Sequence, residues 1–125
     1  MGRTSIKILA MLAIFGATLG GPAKAAEGPF EGGLLRLSEV LGSLHFLRNL
    51  CGDKGNQWRS AMERLLTAEK PEPERRARFI ASFNRGYRSF EGTYSTCTDS
   101  ATEAISRYMK EGEALTREIA TKYGN

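Results

Sequence analysis

Phe79, Phe83, Tyr87, Phe90, Tyr94 and then Cys97 recur at spacings of 4, 4, 3, 4 and 3 residues, which places them along one face of an α-helix. Ala101, Ile105, Tyr108, Gly112, Leu115 and Ile119 repeat the rhythm at 4, 3, 4, 3 and 4. Upstream, Leu34, Leu37, Val40, Leu41, Leu44, Leu47 and Cys51 share one helical face, and Trp58, Met62, Leu65 and Leu66 share another. No alternating run bounded by turn residues offers a strand. The expected fold is therefore all-α: a small four-helix up-down bundle, its helices joined by connections of a few residues.

Local signals set the expected boundaries. The first helix spans about Leu34 to Leu50 and ends at Gly52-Asp53-Lys54-Gly55, with Gly52 in the C-terminal capping region. Asn56 caps a second helix that runs to about Glu69. Pro71 and Pro73 break it, and Pro73 starts a third helix that reaches Tyr94. A fourth begins between Thr98 and Ser100, where Ser100 and Glu103 fit a capping box.

The N-terminus carries an address. Arg3 and Lys7 precede an apolar run from Ile8 to Gly21, and Ala23-Lys24-Ala25 supplies a small-x-small cleavage site. This is the pattern of a secretory signal peptide over residues 1–25, cleaved after Ala25. The apolar run falls short of the ~20 residues a spanning helix needs, so no stable membrane span is expected after cleavage. The expected location is the periplasm. Residues 26–33, with three glycines and Pro29, read as a flexible segment, and residues 34–125 as the bundle domain.

Charge narrows the partners. The whole chain has 18 Lys+Arg against 14 Asp+Glu. Arg3, Lys7 and Lys24 leave with the signal, so the remaining chain is close to neutral. That excludes a general nucleic-acid footprint, which needs clustered basic excess.

An exported chain keeps disulfides. In an alternating bundle the first and third helices point the same way, so Cys51 and Cys97 lie at the same end and can be bridged. Closing a loop of that length is worth roughly 4 kcal/mol. The wide spacing, unlike C-x-x-C, argues against a redox-active pair.

The chemical inventory is short. His45 is the single histidine. It reads as a boundary residue that hydrogen-bonds a neighbouring helix. No acids or cysteines stand at ligand spacing from it, so neither a metal site nor a catalytic set is expected, and no cofactor. Glu72/Glu74 and Glu111/Glu113 read as solvated surface. The third helix carries Arg75, Arg76, Arg78, Arg85 and Arg88. Arg78, Arg85 and Arg88 form a strip that either meets an anionic partner or is answered by acids such as Glu91 or Glu103. Leu35, Phe46 and Leu50 form a second apolar flank on the first helix, which suits a central helix or a homodimer face. Gly86 and Gly112 lie inside helices, which suits close helix approach or a small cavity.

Leu37 to Gly52 (LSEVLGSLHFLRNLCG), Phe83 to Phe90 (FNRGYRSF) and Thr93 to Thr98 (TYSTCT) together resemble an uncharacterised exported alphaproteobacterial family, a domain of unknown function with two separated cysteines. The resemblance covers Leu34 to Gly124. It implies a signal peptide and a pairing of Cys51 with Cys97, and brings no catalytic residue, cofactor or partner. The expected function is thus non-enzymatic: a periplasmic interaction or scaffolding protein whose partner is an envelope protein or an anionic envelope component. The alternative is a carrier of a small apolar or anionic ligand, with a closed pocket near Gly86 and Gly112.

Overall fold

The structure is a computed structural model that describes residues 30–123; the expected signal peptide and residues 26–29 lie outside the described residues. Four helices follow in order: α1 Glu31–Leu50, α2 Gln57–Glu69, α3 Pro73–Glu91 and α4 Asp99–Tyr123. No strand occurs among the described residues. The chain forms the four-helix bundle that its periodicity implies. Helix α1 is its axis: it packs against α2, α3 and α4, whereas α4 makes no backbone approach to α2 or α3.

Helix α1 starts three residues earlier than Gly32 and Gly33 suggest, and this corrects the flexible reading of residues 31–33. The cause is tertiary. Glu31 is buried in the first turn, where a carboxylate suits the helix dipole. Both of its oxygens accept from Arg75 Nε on α3, at 3.0 and 2.9 Å. The same guanidinium donates to Glu69 at 2.9 Å and lies over the Phe79 ring, 4.8 Å from its centroid. Arg75 is held still more firmly protonated than usual, chiefly by its hydrogen bond to Glu31. The start of α1 is therefore pinned from α3 rather than by its own residues.

Other ends also differ from expectation. Asn56 occupies the N-cap of α2, but its side chain makes no capping bond. Gln57 reaches back instead, donating to Asp53 at 2.9 Å. Helix α3 stops at Glu91 rather than Tyr94. Thr98, not Ser100, caps α4: its Oγ1 accepts from the Ala101 N–H at 3.1 Å. Gly52 behaves as anticipated, adopting φ +101°, a left-handed turn that glycine takes without steric cost.

Two apolar cores flank α1. Leu34 and Leu41 meet Met62 of α2 and Phe79 of α3. Val40, Leu44 and Leu47 meet Ala101, Ala104 and Ile105 of α4. Between α1 and α3 the contact is different in kind. A Cβ on Gly42 would overlap the Phe83 carbonyl, and a Cβ on Gly86 would overlap the Glu39 carbonyl. The two backbones meet directly there. Ser38 and Ser43 are buried alongside, each donating to the carbonyl four residues back, Leu34 and Glu39.

Cys51 and Cys97 form a disulfide, with Cα atoms 5.0 Å apart. The bridge joins the end of α1 to the residue pair that precedes α4, as the parallel course of α1 and α3 requires.

Candidate functional site

A concavity of about 400 Å³ opens between α1, α2 and α3. Its placement follows from the glycine contact. Because Gly42 and Gly86 draw α3 tightly against α1, α2 is left to lean across their shared edge. One turn after another of α2 sends Arg59, Met62, Glu63 and Leu66 to the cleft, at i, i+3, i+4 and i+7. Arg76, Ile80, Phe83, Asn84 and Tyr87 do the same from α3. His45 of α1 completes the lining.

The floor and walls are apolar. Met62 is buried, and Phe83 and Leu66 are half-buried. Ile80, the large hydrophobic residue left most open to solvent among the described residues, is 37% exposed at the rim. The His45 ring lies 5.9 Å from Phe83 and 5.8 Å from Tyr87, centroid to centroid. Phe46 backs Tyr87 edge-on at 5.3 Å.

The polar rim is cationic. Arg59 and Arg76 are exposed and make no salt bridge among the described residues, and Glu63 is the single carboxylate in the lining. Their neighbours on α3 are occupied: Arg75 is held by Glu31 and Glu69, Arg85 faces Glu39 at 3.6 Å, and Arg78 faces Glu31 at 3.9 Å. Burial, first, and the charge of Arg59, second, push the His45 imidazole below its ordinary pKa. An apolar trough with guanidiniums at its mouth is chemically suited to a small anion carrying an apolar body.

The residues singled out from sequence fall elsewhere, with one exception. In the strip, Arg78 and Arg85 turn towards acids of α1 rather than towards Glu91 or Glu103; Arg88 is exposed and makes no ion pair among the described residues. Leu35, Phe46 and Leu50 are half-buried, Leu35 against the α2–α3 core and the other two against the α4 core. His45 does line the cleft. Its hydrogen-bond neighbour is Asn49 on its own helix, not a residue of another helix. From sequence, Arg76 stands among the five arginines of the third helix but outside the strip, and Arg59 carries no distinguishing signal by itself. The available signal was their repeat with Met62, Leu66, Ile80 and Phe83, a face mixing cations and apolar residues on two successive helices.

Among the described residues, Gly86 and Gly112 do not share the closed pocket expected near them. Gly86 is packed on the Glu39 backbone. Gly112 instead lines a separate, open groove of about 380 Å³ between α1 and α4, floored by Val40 and Leu44. Trp58 borders this groove, yet its buried Nε1–H, without a hydrogen-bond partner among the described residues, is shielded from solvent and so from the groove. Among the described residues no three His, Cys, Asp or Glu side chains gather as metal ligands, and no helix is long and apolar enough to cross a membrane.

Residues 29–123 match the family described as protein of unknown function (DUF2385). No curated protein and no solved structure matches the chain.

Proposed function

We propose that this chain, which belongs to the DUF2385 family, is an exported, non-enzymatic binding protein that holds a small organic anion with an apolar body in the α1–α2–α3 cleft. One observation carries the reading: Arg59 and Arg76 make no ion pair among the described residues and stand at the mouth of an apolar trough, while Arg75, Arg78 and Arg85 of α3 face carboxylates. An unpaired guanidinium gives up little hydration to meet a carboxylate or phosphate, and the trough supplies the hydrophobic part of the affinity.

Export is supported by the signal-like residues 1–25 and by the disulfide, which persists in oxidising compartments such as the periplasm. A binding role rather than catalysis is supported by the lining: among the described residues it contains no Ser, Thr or Cys nucleophile, and Nδ1 of its histidine faces an amide rather than a carboxylate. The strip of Arg78, Arg85 and Arg88 is the weaker surface for a partner, because two of its three guanidiniums already face acids.

Calorimetric titration with decanoate, decyl phosphate, decanol and inorganic phosphate tests the reading. Both amphiphilic anions are expected to bind, and decanol and phosphate to bind at least about tenfold more weakly. Arg59→Gln with Arg76→Gln is expected to remove the preference for the anions. Equal binding of decanol, or an unchanged double variant, contradicts it.

A further inference from the structure

We propose that His45 is a specificity-determining donor of this cleft: Asn49 fixes its ring as the neutral Nε2–H tautomer, and that N–H joins the two guanidiniums in recognising a ligand that arrives already deprotonated. The recognition half rests on the anion-binding reading above; the tautomer half stands on hydrogen-bond chemistry alone.

Asn49 Nδ2 donates to the carbonyl oxygen of His45 at 2.6 Å and to that of Gly55 at 3.3 Å. Carbonyl oxygens only accept. Turning the amide over would set Oδ1 against both of them, so the orientation of Asn49 is fixed by its surroundings. The same nitrogen lies 3.4 Å from His45 Nδ1. Both amide hydrogens serve the two carbonyls, and an amide nitrogen accepts no hydrogen bond, so a proton on Nδ1 would meet no acceptor there. Nδ1 is therefore unprotonated, and the neutral ring keeps its proton on Nε2. An imidazolium would need a second proton on Nδ1, aimed at the Asn49 amide hydrogens.

The remaining surroundings agree. Across the cleft the ring faces Arg59 and Glu63 on α2 and Arg76 and Tyr87 on α3; α4 contributes nothing to the lining. Two cations against one carboxylate oppose a charged ring. The enclosure by Phe83 and Tyr87 withdraws the water that would solvate it. Nε2 has no hydrogen-bond partner among the described residues and is the ring nitrogen left for a ligand. A neutral donor recognises a carboxylate without taking up a proton, so binding does not track histidine titration. A proton-relay or pH-sensing histidine would behave in the opposite way.

His45 is the only histidine in the chain, so its ring nitrogens are unambiguous in a spectrum. The test is a two-bond ¹H–¹⁵N correlation on the folded protein across about pH 5 to 8, with and without decanoate. The expected result is the Nε2–H pattern, with a titration midpoint below the ordinary value of 6.5. Decanoate is expected to move the Nε2 signal, and its affinity to change by less than about twofold between pH 6 and 8. Asn49→Asp places an acceptor opposite Nδ1 and is expected to raise the ring's pKa and make binding tighten as pH falls. An Nδ1–H tautomer, or a midpoint at or above the ordinary value, overturns the Asn49 lock whether or not that variant folds. If decanoate moves Phe83 and Tyr87 signals but not Nε2, the donor role alone fails. If it moves none of them, the donor role and the binding reading fail together.

Discussion

Against α3, helix α1 offers Gly42 and receives Gly86, so that backbone meets backbone with buried serines beside the crossing. Against α4 it offers Val40, Leu44 and Leu47, which meet Ala101, Ala104 and Ile105 through side chains. The first interface has no layer that can adjust: an added methyl group must push a carbonyl aside. The second is an apolar seam flanked by an ion pair in which Arg36 donates to both oxygens of Glu111, with an open groove at Gly112 and a covalent tie at one end. The backbone contact fixes the α1 and α3 walls of the cleft bordered by His45, Arg59 and Arg76, whereas its α2 wall is held by side-chain packing of Met62 with Leu34, Leu41 and Phe79.

Three substitutions break or sharpen this contrast. Gly86→Ala is expected to have the largest effect, because its Cβ meets the Glu39 carbonyl and the Ser43 hydroxyl. A loss of about 3 kcal/mol or more, or failure to fold, is expected in urea denaturation, the upper end for overpacking because backbone must move. Cys51→Ser with Cys97→Ser comes next. It is expected to cost at most roughly 4 kcal/mol by loop-closure entropy under oxidising conditions. Hydrogen exchange should then show α4 amides opening before those of α1 and α3, because α4 touches the rest of the backbone through α1 alone. Equal loosening of all four helices would erase the contrast. Gly112→Ala is expected to have the smallest effect. Its Cβ would lie 3.4 Å from Val40 Cγ1, an ordinary contact, so helix propensity decides the sign. A gain of up to about 1 kcal/mol in thermal denaturation is expected.

Much of the fold was legible in the sequence, because periodicity and the two cysteines act locally or through simple topology. Phe79 and Ile105 lie buried where the spacing put them, and Cys51 pairs with Cys97. The start of α1 was not legible. Gly32 and Gly33 argue for a loose segment, and only the distant Arg75 makes Glu31 a helix start. The cap of α4 was misread between two suitable residues, Thr98 and Ser100, which sequence spacing does not separate. Gly86 was recognised as a candidate for close approach, but its counterpart Gly42 was not, since reciprocity appears only once the helices cross. The cleft was the least legible feature. Arg59 and Arg76 look like solvated charges in one dimension. Their distinction is that the carboxylates which answer Arg75, Arg78 and Arg85 do not reach them.

The central claim is that the α1–α2–α3 cleft binds an organic anion, and mapping decanoate on the folded protein by amide and side-chain chemical shifts tests it most directly. The account predicts changes confined to the cleft, at His45, Arg59, Met62, Arg76, Phe83 and Tyr87. Changes centred instead on Met109, Gly112 and Thr116, in the groove between α1 and α4, would contradict it.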